Sequence, residues 1–171
     1  MPDTSNKPVF LVDAYCEPMI VRVEGRACFA NSAALRDFFA QMIGQGKLRF
    51  ALDLAGCTSM DSTFLGVLAG TALELRRQSP PGSLVLCRVG RRNLELLRNL
   101  GLHRLLTVDA GDFPMEFRPE AMAISEARVP GDLDRARLVL EAHESLVAAD
   151  PANRNKFQDL LAFLRNRVEQ K

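Results

Sequence analysis

The chain has 171 residues, 47% of them hydrophobic, with Lys+Arg 22 against Asp+Glu 21 and a net charge of +1. That is enough for one domain of ordinary size, or one domain with an appendage, and enough apolar mass for a real core rather than a disordered chain. The even charge balance gives no general case for nucleic acid or a membrane surface as partner.

The first residues, "MPDTSNKPVFLVDA", lack the basic lead and long apolar core of a signal peptide. "PVFLVDA" and "MIVRVEG" read as strands, with "YCEP" as the hairpin turn between them. "NSAALRDFFAQMIGQG" reads as a helix. Asn31 or Ser32 can cap it, Leu35, Phe38, Phe39 and Met42 form its apolar stripe, and Gly44 can end it. "LRFALDLAG" is apolar on both faces up to Asp53, as a central strand should be. "STFLGVLAGTALELRRQ" is the second helix. Its longest uncharged apolar stretch, "FLGVLAGTAL", has ten residues, against the roughly 20 that span a bilayer. A cytoplasmic protein is the expectation.

After the turn "SPPG", "SLVLCRV" reads as the fourth strand. "RRNLELLRNLGL" is the third helix, with Leu94, Leu97 and Leu100 on one stripe and Gly101 as C-cap, and "HRLLTV" is the closing strand. Alternating strands and helices imply an α/β fold with a partly parallel sheet and helices packed on it, over residues 9–109. Residues 110–131 carry Pro114, Pro119 and Pro130 without periodicity and read as an irregular linker or strap. Residues 132–171 read as a C-terminal helical extension. Asp132 can cap a helix near 133–149, with Val139, Leu140, Leu146 and Val147 apolar. Asp150 before Pro151 starts another, striped by Phe157, Leu160, Leu161, Leu164 and Val168. Such a helical hairpin cannot bury both stripes alone. It should pack on the main domain or on a second copy, which would make a homodimer.

Cys16, Cys28, Cys57 and Cys87 form no C-x-x-C pair, and neither His103 nor His143 has a ligand-spaced neighbour, so no metal is expected. Arg76, Arg77, Arg88, Arg91, Arg92, Arg98 and Arg104 share their segment with one acid, Glu95. They read as a solvated face or, more sharply, as a docking surface for an acidic partner. No G-x-S-x-G elbow, P-loop or G-x-G-x-x-G follows a strand. The expectation is a protein that is not an enzyme and holds no cofactor. His103 could serve as a base only if the fold brought it to Ser62.

The polar stretch "SMDSTFLG" lies between two apolar runs. On a helical wheel Leu65, Leu68, Ala72 and Leu75 face the sheet, with Phe64 and Ala69 at the margins. The opposite side carries Thr63, Gly66, Val67, Gly70 and Glu74 and is expected to be exposed. Two glycines there cost about 1 kcal/mol each against alanine, which is explained if another backbone comes close, from this domain or from a partner. Ser62 stands at the helix mouth, where free N–H groups favour an anion, unless Asp61 or Ser62 is only an N-cap.

"ALDLAGCTSMDSTFLGVLAG" resembles the signature of the STAS domain of bacterial anti-sigma factor antagonists: an apolar strand ending in Asp-Leu, then Asp-Ser-Ser/Thr-Gly-Leu-Gly opening a helix. "VRVEG" and "SLVLCRVGRRNLELLRNLGLHRLLTV" match further parts of that family. The resemblance implies a STAS-like mixed sheet and partner switching in transcription regulation. The antagonist binds an anti-sigma factor that is a GHKL-type serine kinase, is phosphorylated by it, and is reset by a phosphatase. By position, Ser62 is the phosphoacceptor. Asp61, Thr63, Phe64, Gly66, Val67 and Gly70 are the implied partner contacts. Phe64 departs from the glycine usual there. Alternatives are a STAS subunit of a lipid-transport ABC complex and a stress-signalling scaffold.

Overall fold

The computed structural model describes residues 9–13, 17–109, 122–124 and 131–170. Two strands, β1 (Phe10–Asp13) and β2 (Met19–Ala27), pair antiparallel with Phe10 opposite Val23 and Asp13 opposite Ile20. Part of the turn expected between them, residues 14–16, lies outside the described residues. Helix α1 (Ser32–Gly44) then crosses to β3 (Arg49–Met60), which runs parallel to β2. Helix α2 (Ser62–Arg77), β4 (Ser83–Cys87), helix α3 (Arg91–Asn99) and β5 (Thr107–Asp109) complete the parallel part of the sheet.

A sixth strand, β6 (Met122–Ile124), lies antiparallel against β1, so the sheet order is β5-β4-β3-β2-β1-β6. The sequence reading gives no strand inside 110–131; the other residues of that segment, apart from Gly131, lie outside the described ones. The closing strand is also shorter than "HRLLTV" suggests. Gly101 adopts φ 70, a left-handed conformation that costs glycine little, and ends the helical run. A single 3-10 turn (Leu102–Arg104) follows and buries Leu102 before the chain extends.

The core lies where the expected stripes meet. Phe50, Leu52 and Leu54 on one face of β3 and Ala51 and Asp53 on the other are all buried, as a strand covered on both faces requires. Leu35 and Phe39 of α1 are buried against the first of these faces, the Phe39 ring meeting the Phe50 ring edge-on at 5.2 Å. Leu65, Leu68, Ala72 and Leu75 of α2 occupy the same core.

Two further helices, α4 (Asp132–Ala149) and α5 (Asn153–Glu169), form the expected hairpin. α4 packs directly on α2, and α5 packs on α4. Gly131, not Asp132, is the residue before α4, and Asp132 stands in its first turn. At the elbow Asp150 Oδ1 accepts a bond from the Ala152 N–H at 3.0 Å. Asn153, buried, donates its amide to the carbonyls of Leu100 at 2.9 Å and Leu146 at 2.8 Å, tying the elbow to the end of α3. The α5 stripe is narrower than the sequence suggests. Leu161 and Leu164 are buried but Leu160 is exposed, because α5 is covered on one side only. No helix among the described residues is long and apolar enough to cross a membrane.

Candidate functional site

The chain leaves β3 at Met60 and enters α2 through Asp61, whose backbone is extended. Asp61 Oδ1 accepts the N–H of Phe64 at 2.9 Å and Oδ2 accepts the N–H of Phe29 at 2.7 Å. One carboxylate therefore caps α2 and pins the turn ahead of α1. A cap of this kind is worth about 1 kcal/mol, and the negative charge suits the helix N-terminus. With Asp61 filling the cap, the hydroxyl of Ser62, half-buried in the first turn, is left for another partner.

That partner is His143 of α4. Its Nε2 lies 2.8 Å from Ser62 Oγ. Its Nδ1 lies 2.6 Å from the carbonyl oxygen of Val139, which can only accept, so Nδ1 carries the proton and Nε2 accepts from the Ser62 hydroxyl. The imidazole is buried and meets the ring of Phe157 edge-on at 4.8 Å. The histidine that reaches Ser62 is thus His143, which the sequence leaves in ordinary surroundings, and not His103. A neutral imidazole can take a hydroxyl proton. Nδ1, however, faces a carbonyl rather than the carboxylate of a Ser-His-Asp triad.

Burial pushes the His143 imidazole below its ordinary pKa of 6.5, with the Val139 carbonyl and the Asp61 carboxylate acting the other way. The unfolded chain therefore takes up a proton more readily than the folded one. Stability is expected to hold above pH 6.5 and to fall as pH drops below it, until the lower folded value is passed. Denaturant unfolding of wild type and His143→Gln between pH 8 and pH 5 checks this: an unchanged pH slope in the variant would refute the assignment.

The face opposite the sheet is not exposed as expected. Thr63 and Val67 are buried, and Gly66 lies under α4. A Cβ added at Gly66 would come within 2.7 Å of Ala142 Cβ and collide with the Ala142 backbone. At Gly70 it would meet Ser145 Oγ at 2.9 Å. Val67 joins Ala33 and Leu138 in a small cluster that bridges α1, α2 and α4. The close backbone that two glycines call for is this chain's own fourth helix. Of the face expected to be open, Glu74 remains exposed. Phe64, expected among the partner contacts, is fully buried. Its ring stacks on Phe10 at 6.2 Å, so it supplies the interior and not the surface.

A cavity of about 480 Å³ opens beside Ser62 and is lined by Leu65, Leu96, Leu100 and Phe157 among others. None of the seven arginines of the segment 76–104 lines it. Arg88 pairs with the buried Asp53, which raises the Arg88 pKa, and Arg76 donates to the Leu105 carbonyl at 3.1 Å. All seven arginines are exposed.

The family profile described as "Mlab, STAS domain" matches residues 10–107, more than half of the chain. The chain belongs to the STAS domain family. Solved structures of similar STAS fold include an anti-sigma factor antagonist from Mycobacterium paratuberculosis, 19% identical, covering 66% of this chain and 91% of that one with a TM-score of 0.52. A candidate anti-sigma factor antagonist from Thermotoga maritima is 19% identical, covers 58% and 84%, and gives 0.51. The unphosphorylated form of the anti-sigma factor antagonist SpoIIAA is 18% identical, covers 60% and 90%, and gives 0.49. No curated protein matches the sequence. The match ends at β5, so α4 and α5 stand outside the family-defined STAS domain, and the residue bonded to Ser62 belongs to that added part.

Proposed function

We propose that this STAS domain is an anti-sigma factor antagonist that binds a GHKL-type serine kinase and is released from it by phosphorylation of Ser62. The observation that carries the reading is the division of labour at the α2 N-terminus. Asp61 fills the cap, and the Ser62 hydroxyl stands free of backbone capping in the first turn. A phosphate there would add about −1.5 to −2 charge beside Asp61 and next to the first-turn N–H groups. It is accommodated by the helix end but repels an acidic or closely fitted partner. A phosphatase would reset the site. In this reading the protein works in the cytoplasm as a switch, without catalysis or a cofactor of its own, and the docking of the tail on its own domain favours an intramolecular role for it over homodimerisation.

Ser62→Asp is expected to weaken kinase binding by tenfold or more, and Ser62→Ala to bind but resist release by ATP. Neither loses the cap, which belongs to Asp61, but Ser62→Ala leaves the buried His143 Nε2 without its hydroxyl and should cost about 1–3 kcal/mol, so binding is compared at a temperature where each variant is folded. Incubation with a candidate kinase and ATP, followed by mass-spectrometric mapping, tests the site. Phosphate elsewhere, or full-strength binding by Ser62→Asp, would sink the switch.

The family description and the buried Phe64 favour a second reading, a STAS subunit that docks on a lipid-transport ABC complex without being phosphorylated. Recovery of an unmodified chain with transporter subunits, and no modification by any kinase, would select it.

A further inference from the structure

We infer that the α2 face bearing Gly66, Val67 and Gly70 is a helix-docking groove held closed by α4, and that a partner helix opens it by replacing α4. The seam is defined by small residues. Ala142 lies over Gly66 and Ser145, three positions on, over Gly70, so each helix approaches at backbone distance. Leu138 and Leu146, four residues on either side of Ala142, are buried at the two ends of the contact. Arg36 of α1 reaches Glu141 of α4 at 3.6 Å along one rim. These positions specify the occupant: an amphipathic helix with alanine or glycine at one position, a small residue three further on, leucines four residues to each side, and an acid just before the first small residue.

Three observations make the closed state replaceable rather than fixed. The groove is incompletely filled: a cavity of about 300 Å³ remains between α1, α2 and α4, bordered by Phe39, Ile43, Gly70 and Leu138. The centre of the seam is small side chains and one Ser62–His143 hydrogen bond, and the large apolar side chains that α4 buries there, Leu138 and Leu146, are the ones a replacing helix supplies in kind. And Asn153 ties the elbow to α3 at Leu100 as well as to Leu146 near the end of α4, so the elbow and α5 stay attached to the domain while the body of α4 is lifted. The role of this groove as the contact surface of an antagonist rests on the reading above; its closure by α4 does not.

The test uses the full chain and a labelled peptide of residues 132–149 as the probe helix. Ala142→Glu places a long charged side chain against Gly66 and frees the groove while leaving α2 native. A Cβ at Gly70 stands 3.5 Å from Ser145 Cβ, inside the range a disulfide spans, roughly 3.5–4.5 Å. Gly70→Cys with Ser145→Cys therefore locks α4 down when oxidised and releases it when reduced. We expect the folded Ala142→Glu chain to bind the peptide at least tenfold more tightly than wild type, and the oxidised double variant to bind none until reduced. A folded Ala142→Glu chain that ignores the peptide, or an oxidised chain that binds it like wild type, overturns the inference. Phosphorylation separates the two proposals. Equal modification of Ser62 in locked and reduced chains defeats the closed groove but keeps the switch. Peptide binding as expected, with no modification of Ser62 in the opened chain, keeps the groove and defeats the switch.

Discussion

Phe64→Gly, which restores the residue usual at this place in the STAS motif, is expected to destabilise the protein by about 4–6 kcal/mol. Truncating a fully buried phenylalanine costs about 3–5 kcal/mol through lost transfer energy and the cavity left behind. Glycine in a helix interior adds about 1 kcal/mol. Phe64 meets the first condition fully, and the second in part because it stands in the first turn of α2; its ring runs parallel to that of Phe10 in β1 at 6.2 Å. A domain with the usual 5–15 kcal/mol in hand could be left barely folded. Phe64→Leu is therefore the companion variant, expected to cost less because it keeps most of the buried volume. Urea unfolding measures both. A loss under about 2 kcal/mol for Phe64→Gly would mean that the ring does not anchor α2 to the sheet. The departure from the family pattern is thereby a packing choice: α2 is held by an aromatic inside instead of presenting a smooth mouth outside.

Most of the sheet was legible because its signals are local. The two-sided apolar run of β3, the stripes of α1 and α3, and the Asp-Ser start of α2 each follow from short-range chemistry. The edge strand β6 was not, since Met122–Ile124 is three residues long, exposed at Met122 and Ala123, and made a strand by pairing with β1 rather than by its own pattern. The site was legible in part. The position of Ser62 at a helix mouth could be read, and so could the need for a close backbone at Gly66 and Gly70. Which backbone could not, because helix-on-helix pairing is a long-range choice between α4, a second copy and a partner. One signal of it is in the sequence. "FLGVLAGTALEL" is apolar almost all the way round, the mark of a helix covered on both sides. His143 carried a fainter signal, a polar residue on the apolar side of α4 between Val139 and Leu146 that needed a hydroxyl to answer it.

Gly66→Leu is expected to be the most damaging single change at the α2–α4 seam, and the alanine variant decides why. In an open helix interior, glycine to alanine stabilises by about 1 kcal/mol. At Gly66 the new Cβ would stand 2.7 Å from Ala142 Cβ and against its backbone, which cannot swing aside like the end of a long side chain. Gly66→Ala should therefore reverse the usual sign and destabilise by about 1–3 kcal/mol, the cost of overpacking. Gly44→Ala, at a helical glycine where an added Cβ meets nothing within 4 Å, is the control and should be neutral or stabilising. Gly66→Leu leaves no compromise: α4 must come off α2, and the His143–Ser62 bond goes with it. Hydrogen exchange should then show loss of protection confined to α4 and the outer face of α2, while β3 and α1 stay protected. If Gly66→Ala stabilises the chain as Gly44→Ala does, α4 does not rest on α2 in solution. Uniform loss of protection across the sheet in Gly66→Leu would mean instead that α4 is a structural part of the domain that cannot leave it.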